Sequence, residues 1–437
     1  MTSPLRRASL AIPLFIGIAG GFPTRAAGAP TADPTAAEET AGEAADAPQS
    51  GDGEPPGAAA ARKAPPPRHT EFFPLPLYAT SPAEGSTYGA LPVFMRVDDT
   101  GRTTWITAPS VSFNSATKVN GTFRYYSFPT TTRQWLIILA GSTHVNRSFR
   151  FDFRNVPGFP WSMTEEVQLL ARRSLFYRFF GFGPDTSHDD QSSYTRELAL
   201  ASARAGINLA PHLNLGVRAG ARWDKPQRGA VFGLPPTQDR YPGTPGLDGA
   251  ALGTFELSLR FDTRERGDYD VRGVASELHG ARDFALKNSD SFWRVTWHTR
   301  VLWTEGAWAR GAARLYWTDE SGGGRVPFYY RSALGGDTLF RGFTDDRFID
   351  RGAWEAEFEQ RLRLFSTHWF HVNADWRADP FVAVGQVYPT FNAVASHVRK
   401  VIGLGLRAFV YPNVLGRVDL AYGSDGFAAY VILGYPY

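Results

Sequence analysis

Cysteine is absent from this 437-residue chain, which excludes disulfide staples and thiolate metal sites. Beyond the N-terminus no run of about 18 apolar residues occurs, so the sequence offers no bilayer-spanning helix there. G-x-S-x-G, Walker and dinucleotide-binding patterns are missing too, and with them the usual signatures of serine hydrolases and nucleotide sites. Net charge is also scarce. Setting aside Arg6, Arg7 and Arg25 of a leader segment takes Lys+Arg from 46 to 43, against 43 Asp+Glu. A near-neutral chain has no electrostatic footprint for nucleic acid. Aromatics, in contrast, are abundant: 14% of residues, with 12 Trp, 17 Tyr and 32 Phe. Many aromatics without apolar runs fit apolar and polar residues in alternation, the pattern of an all-β fold.

The start reads as a secretory signal over 1–29. Arg6 and Arg7 precede the apolar stretch "ASLAIPLFIGIAGG", and small residues follow at Ala26 to Ala29. A twin-arginine signal is a second reading of the same arginines. Residues 30–70 are Ala, Pro, Gly and Glu with almost no large apolar side chains. Such a segment cannot offset its ordering entropy and is expected to be a disordered tether.

From residue 71 to the end the period is two. Phe149, Phe151 and Phe153 share one face of a strand, with Arg150, Asp152 and Arg154 on the other. Phe255, Leu257, Leu259 and Phe261 oppose Glu256, Ser258, Arg260 and Asp262 in the same way. Trp354, Ala356, Phe358 and Leu362 oppose Glu355, Glu357, Glu359, Arg361 and Arg363. A soluble sandwich also alternates, but its polar face meets bulk water. Apolar faces rich in Trp and Phe, opposite faces carrying both charge signs, favour a transmembrane antiparallel β-barrel over 71–437. At roughly 10 residues per strand plus turns, the span holds about 16 strands. Trp135, Trp293, Trp303, Trp308 and Trp317 are expected at strand ends, as interfacial girdles. The chain ends on "FAAYVILGYPY", with Phe427, Val431, Leu433, Tyr435 and Tyr437 on one face. A last strand ending on an aromatic is what outer-membrane barrels present to their assembly machinery.

Several segments resemble one family. "FYRFFGFGPDTSHDDQSSYT" (176–195), "FDTRERGDYDVRG" (261–273), "LGGDTLFRGF" (334–343), "AEFEQRLRLF" (356–365), "FVAVGQVY" (381–388) and "GLGLRAFVYP" (403–412) run in the order seen in bacterial surface antigen barrels. These are the BamA/TamA-type assembly and translocation factors of the outer membrane. The resemblance implies an extracellular loop folded into the lumen, with the arginine of its Arg-Gly-aromatic tip meeting acidic groups on the inner wall. Arg341, Gly342 and Phe343 match that tip, and Glu359 matches the family's glutamate. A lumenal arginine needs an anionic, hydrogen-bonded partner, and its planar fork suits stacking on Phe340 or Phe343. Where the family often has a second acidic partner, this chain has Ala383. Asp379, four residues earlier, and Asp419 are the candidate substitutes. The short tether leaves no room for the POTRA domains of BamA-like members, so the resemblance is to a short branch without them.

Other chemistry is weaker. His368 and His371, three apart on a strand, fall on opposite faces and read as structural. Asp185, His188, Asp189 and Asp190 read as a solvated turn rather than a cation site. No Ser/His/Asn constellation of an outer-membrane phospholipase stands out. No cofactor, metal or catalytic residue is expected. The sequence and its resemblance together imply a non-enzymatic barrel, exported to the outer membrane of a Gram-negative bacterium. It would aid protein insertion or lipid or protein translocation. Its implied partners are outer-membrane lipids, the machinery that inserts the barrel itself, and unfolded outer-membrane protein or lipid as cargo. The alternative is a passive pore or surface-exposed binding barrel.

Overall fold

The computed structural model describes residues 68–99, 102–159, 163–264, 272–306, 308–369, 372–410 and 414–433. The leader segment, nearly all of the expected tether, His371, Tyr435 and Tyr437 lie outside them. Alternation produces a closed, all-antiparallel barrel of 18 strands, with no long apolar helix. Its members are β1 (His69–Ser81), β2 (Gly85–Val97), β3 (Thr103–Thr107) with β4 (Ser110–Asn114) as one interrupted strand, β5 (Lys118–Ser127), β6 (Arg133–Ser142) and β7 (Arg147–Asn155). Then come β8 (Met163–Phe179), β9 (Ser192–Ala210), β10 (Leu213–Arg228), β11 (Ala250–Asp262), β12 (Gly273–Lys287), β13 (Phe292–Thr304) and β14 (Ala309–Ser321). A small hairpin, β15 (Ser332–Leu334) and β16 (Phe348–Asp350), sits within the next loop. The wall resumes with β17 (Gly352–Trp369), β18 (Val372–Tyr388), β19 (Arg399–Val410), β20 (Val414–Gly423) and β21 (Gly426–Leu433).

Two more strands are present than the expected 16. They fit because the first six, from β1 to β7, are joined by turns of five residues or fewer. β1 also begins at His69, ahead of residue 71, because His69 and Thr70 pair with Val97 and Arg96. Successive connections fall on opposite rims; one rim carries the three longest loops (180–191, 229–249, 322–351) and the other carries the described ends of the chain. That asymmetry is the one outer-membrane barrels have, long loops outside and short turns inside.

Burial is inverted relative to a soluble protein. Phe255, Leu257, Leu259, Val295, Trp297, Val382, Leu404 and Leu406 are exposed on the outer face, while Glu256, Arg294, Glu357, Arg407 and Asp419 are buried inside. Trp293 and Trp317 lie near the long-loop rim; Trp135, Trp303 and Trp308 lie near the other. Two aromatic belts follow. On β21, Phe427 is exposed and Tyr430 is buried, as alternation requires.

Proline shapes the first strands. Pro74 faces Pro92 across the β1–β2 pair. Two partners that both lack an N–H can only form a non-hydrogen-bonded pair, in which each backbone turns outward. Pro92 therefore turns toward the gap between β3 and β4, where Pro109 lies and where β2 switches partner after Ala90 and before Phe94. Pro74, and with it Pro76, turns toward β21. Among the described residues the β1–β21 seam is registered at one pair, Thr80 with Val431, whereas β20 and β21 pair from Gly416–Leu433 to Gly423–Gly426.

Candidate functional site: a loop locked into the lumen

The segment 322–351 leaves β14, turns back into the barrel and returns to β17. Its descent is made possible by backbone geometry. Phe340 sits at φ +53 and Gly342 at φ +120, left-handed conformations that a side chain resists. A Cβ at Gly342 would lie 2.9 Å from Val401 Cγ1 and 3.2 Å from Ala421 Cβ on the wall. Glycine here provides both the turn and the close approach.

The tip presents Arg341, which is fully buried. Its Nε donates to Glu357 Oε2 at 3.1 Å and its Nη2 to Glu357 Oε1 at 2.8 Å, a bidentate pair. Nη2 also donates to Glu359 Oε2 at 2.8 Å, and Nη1 to Asp419 Oδ1 at 3.4 Å. The ring beneath the guanidinium is Phe381, at 3.7 Å, and not Phe340 or Phe343 as expected from the sequence. Phe340 and Phe343 instead stack on each other, centroids 5.0 Å apart, and Phe343 meets Phe348 edge-on. Tyr430 donates its hydroxyl to the Phe343 carbonyl, and Phe340 N–H donates to Glu355 Oε1 at 2.7 Å.

Asp379 does not reach Arg341. It pairs with Arg407 Nε at 3.1 Å, without the alignment of a hydrogen bond, while Arg407 Nη1 meets Asp419 Oδ1 at 2.8 Å. Arg361 holds Glu359, Arg314 holds Glu355 and Glu357, and Arg417 holds Asp419 and the Asp337 carbonyl. Five carboxylates thus interleave with the guanidiniums of Arg314, Arg341, Arg361, Arg407 and Arg417. Buried charge on this scale persists only because each ion has counter-ions in contact. Ala383, which has no acidic group to offer, is packed in the apolar cluster around Phe340 and Phe343.

The upper part of the loop has a second anchor, which the sequence reading did not single out. Phe328, Tyr329 and Tyr330 pack with Tyr177, Phe179, Tyr194 and Phe292 under the long-loop rim. Buried Arg196 pairs with Asp224 at 2.7 Å, lies 4.6 Å from the Tyr329 ring and donates to the Tyr329 carbonyl at 3.3 Å. Arg347 bridges the loop to Asp425 and to Thr186. The acidic turn 185–190 is taken up in loop-to-loop pairs: His397 with Asp185, His188 with Asp425, Arg240 with Asp190. Among the described residues no group of three metal-ligating side chains forms.

A closed barrel with a loop pinned in its lumen defines the class: the fold is that of outer-membrane barrels. No family model matches the chain, and no curated protein matches it in sequence. Solved structures do. The chain is similar to CdiB from Escherichia coli (11% identity, TM-score 0.50, covering 75% of this chain and 62% of that one). BamA from Haemophilus ducreyi lacking POTRA domains 1–3 matches at 14% identity and TM-score 0.46, over 83% of this chain and 69% of that one. Wzi of Escherichia coli, a carbohydrate-binding outer-membrane barrel involved in group 1 capsule assembly, matches at 12% identity and TM-score 0.38, over 85% and 83%.

Proposed function

We propose that this chain is an assembly or translocation factor of the outer membrane, aiding insertion of proteins or passage of lipid or protein. The observation that carries the reading is the seam. On the β21 side of β1, Pro74 and Pro76 remove two donors that a continuous ladder would use, and the described register across the seam is a single pair. A strand edge with unused backbone groups is a template for another strand. Among the described residues every other junction of the wall is registered over more pairs, which marks the seam as the line where the wall would part. The locked loop braces the β21 side of the seam, through Glu357 and Glu359 on β17, Asp419 on β20 and Tyr430 on β21, so the side left to yield is β1.

A double variant, Thr80→Cys with Val431→Cys, tests this in a chain with no other cysteine. In cells relying on the cross-linked protein, outer-membrane barrel levels or lipid asymmetry should fall, and a reductant should restore them. Normal levels of both under full cross-linking would remove the reading. The alternative is a passive pore or binding barrel. A pore must conduct past the buried ion pairs around Arg341, and planar-bilayer conductance above background would favour it.

A further inference from the structure

The long-loop rim is stepped. The last β7–β8 pair is Arg147 with Arg173, so the final six residues of β8 rise above β7. In the angle of that step lies a cavity of about 80 Å³, room for roughly six waters at the usual 10–15 Å³ each. Its wall is about half polar, and the register shows where the polar half comes from. Ser112 faces Asn120, Thr122 faces Ala140, Ala140 faces Ser148, and Ser148 faces Arg172, all on the lumenal side of successive strands. Glu84 closes it from the β1–β2 turn, and Phe176 adds an apolar surface.

The site is built. Asn114 donates to the carbonyls of Glu84 at 2.9 Å and Ser86 at 3.2 Å, and its Oδ1 accepts from Ala116 N–H at 2.9 Å, tying two turns together. Ser148 Oγ, in contrast, is buried without a hydrogen-bond partner. Burial pushes the Glu84 carboxyl up to about 7, against the opposing pull of Arg172. Polar groups held this way want a polar occupant.

Short hydroxyls and an amide, spaced over neighbouring strands beside an apolar surface, match the mixed donors, acceptors and C–H face of a sugar ring. Alternation turns Arg172 inward, while Arg147 and Arg173 face outward and Arg173 is held by Glu197 and Gln227. The one inward guanidinium gives the cavity a group for a sugar carboxylate. A peptide strand would need the raised β8 edge, where Asn146 Oδ1 already accepts from Leu175 N–H and Ser174 Oγ from Phe176 N–H. We propose that this cavity binds one residue of an acidic saccharide at the barrel mouth, with Arg172 on the sugar carboxylate and Ser112, Asn120, Thr122 and Ser148 on its hydroxyls.

The test is calorimetric titration of the full chain in detergent with a galacturonate trisaccharide and, separately, maltotriose. Galacturonate should bind more tightly than maltotriose. Arg172→Gln should weaken it about tenfold, a single charge-assisted contact, and leave maltotriose unchanged. Thr122→Trp, which fills the cavity, should abolish binding; Ser112→Phe fills it from another strand should the first variant misfold. Silence with both sugars, binding that survives both filling variants, or equal competition by inorganic phosphate would each overturn the proposal. Titration with lipopolysaccharide micelles separates a glycolipid headgroup from free polysaccharide as the sugar's source.

Discussion

The wall from β14 to β20 and the wall from β1 to β2 follow the same alternating rule, yet their lumenal faces differ. In the first, the inner face is Glu355, Glu357, Glu359, Asp379, Arg407 and Asp419, each engaged by a counter-ion. In the second, it is Leu75, Leu77, Leu91 and Val93, packed on one another. A charged inner face is sustainable where a loop descends to neutralise it; beside the seam, apolar contacts do the holding. Rigid and yielding walls thus come from one fold, according to what covers each.

The comparison can be broken at its charged end. Arg341→Ala leaves Glu357 with one fewer counter-ion in a closed site. Removing one partner of a buried ion pair costs about 3–5 kcal/mol. The temperature at which the barrel loses its fast-migrating, SDS-resistant form should drop markedly; an unchanged transition would show that the other arginines suffice. Gly342→Val comes next, since a left-handed backbone alone costs about 1–3 kcal/mol and the new side chain collides with Val401. The same gel assay reads it, with a smaller drop expected. At the yielding end the sign reverses. Pro74→Ala with Pro76→Ala restores two seam donors, each worth about 0.5–1.5 kcal/mol when paired. Amide hydrogen exchange over residues 72–80 should slow, and the transport or insertion activity should fall. Smallest is Arg240→Ala at the half-exposed pair with Asp190, where exposed ion pairs contribute about 0–1 kcal/mol. A large loss of thermal stability there would refute burial as the deciding factor.

Much of this was legible in the sequence, for identifiable reasons. From Phe149 onward, one face of each strand is apolar and the other charged, so orientation could be read directly. In β1 and β2 both faces are apolar, "FFPLPLY" and "ALPVFM", and the period is hidden. The strand count came out low for another reason, the short turns that join β1 to β7. At the lock, alternation placed Glu357 and Glu359 on one face, but choosing between them needs the depth to which the loop descends. Glu357 takes the bidentate contact for that reason. Likewise, no local pattern links Arg341 to the Phe381 ring, or Arg196 to Tyr329; these meetings depend on strand register far along the chain.

The seam has a kinetic side as well. Every hairpin in the barrel joins neighbours in sequence, and the lock joins Arg341 to Glu357 16 residues away and to Asp419 78 residues away. Thr80 and Val431 are the exception, coming from opposite ends of the chain. Closing the longest loop carries the largest entropic cost and must follow the contacts that shorten it. The sheet from β14 to β21 can therefore take up its loop while still open, and the ring is completed last, at the junction with the fewest registered pairs among the described residues.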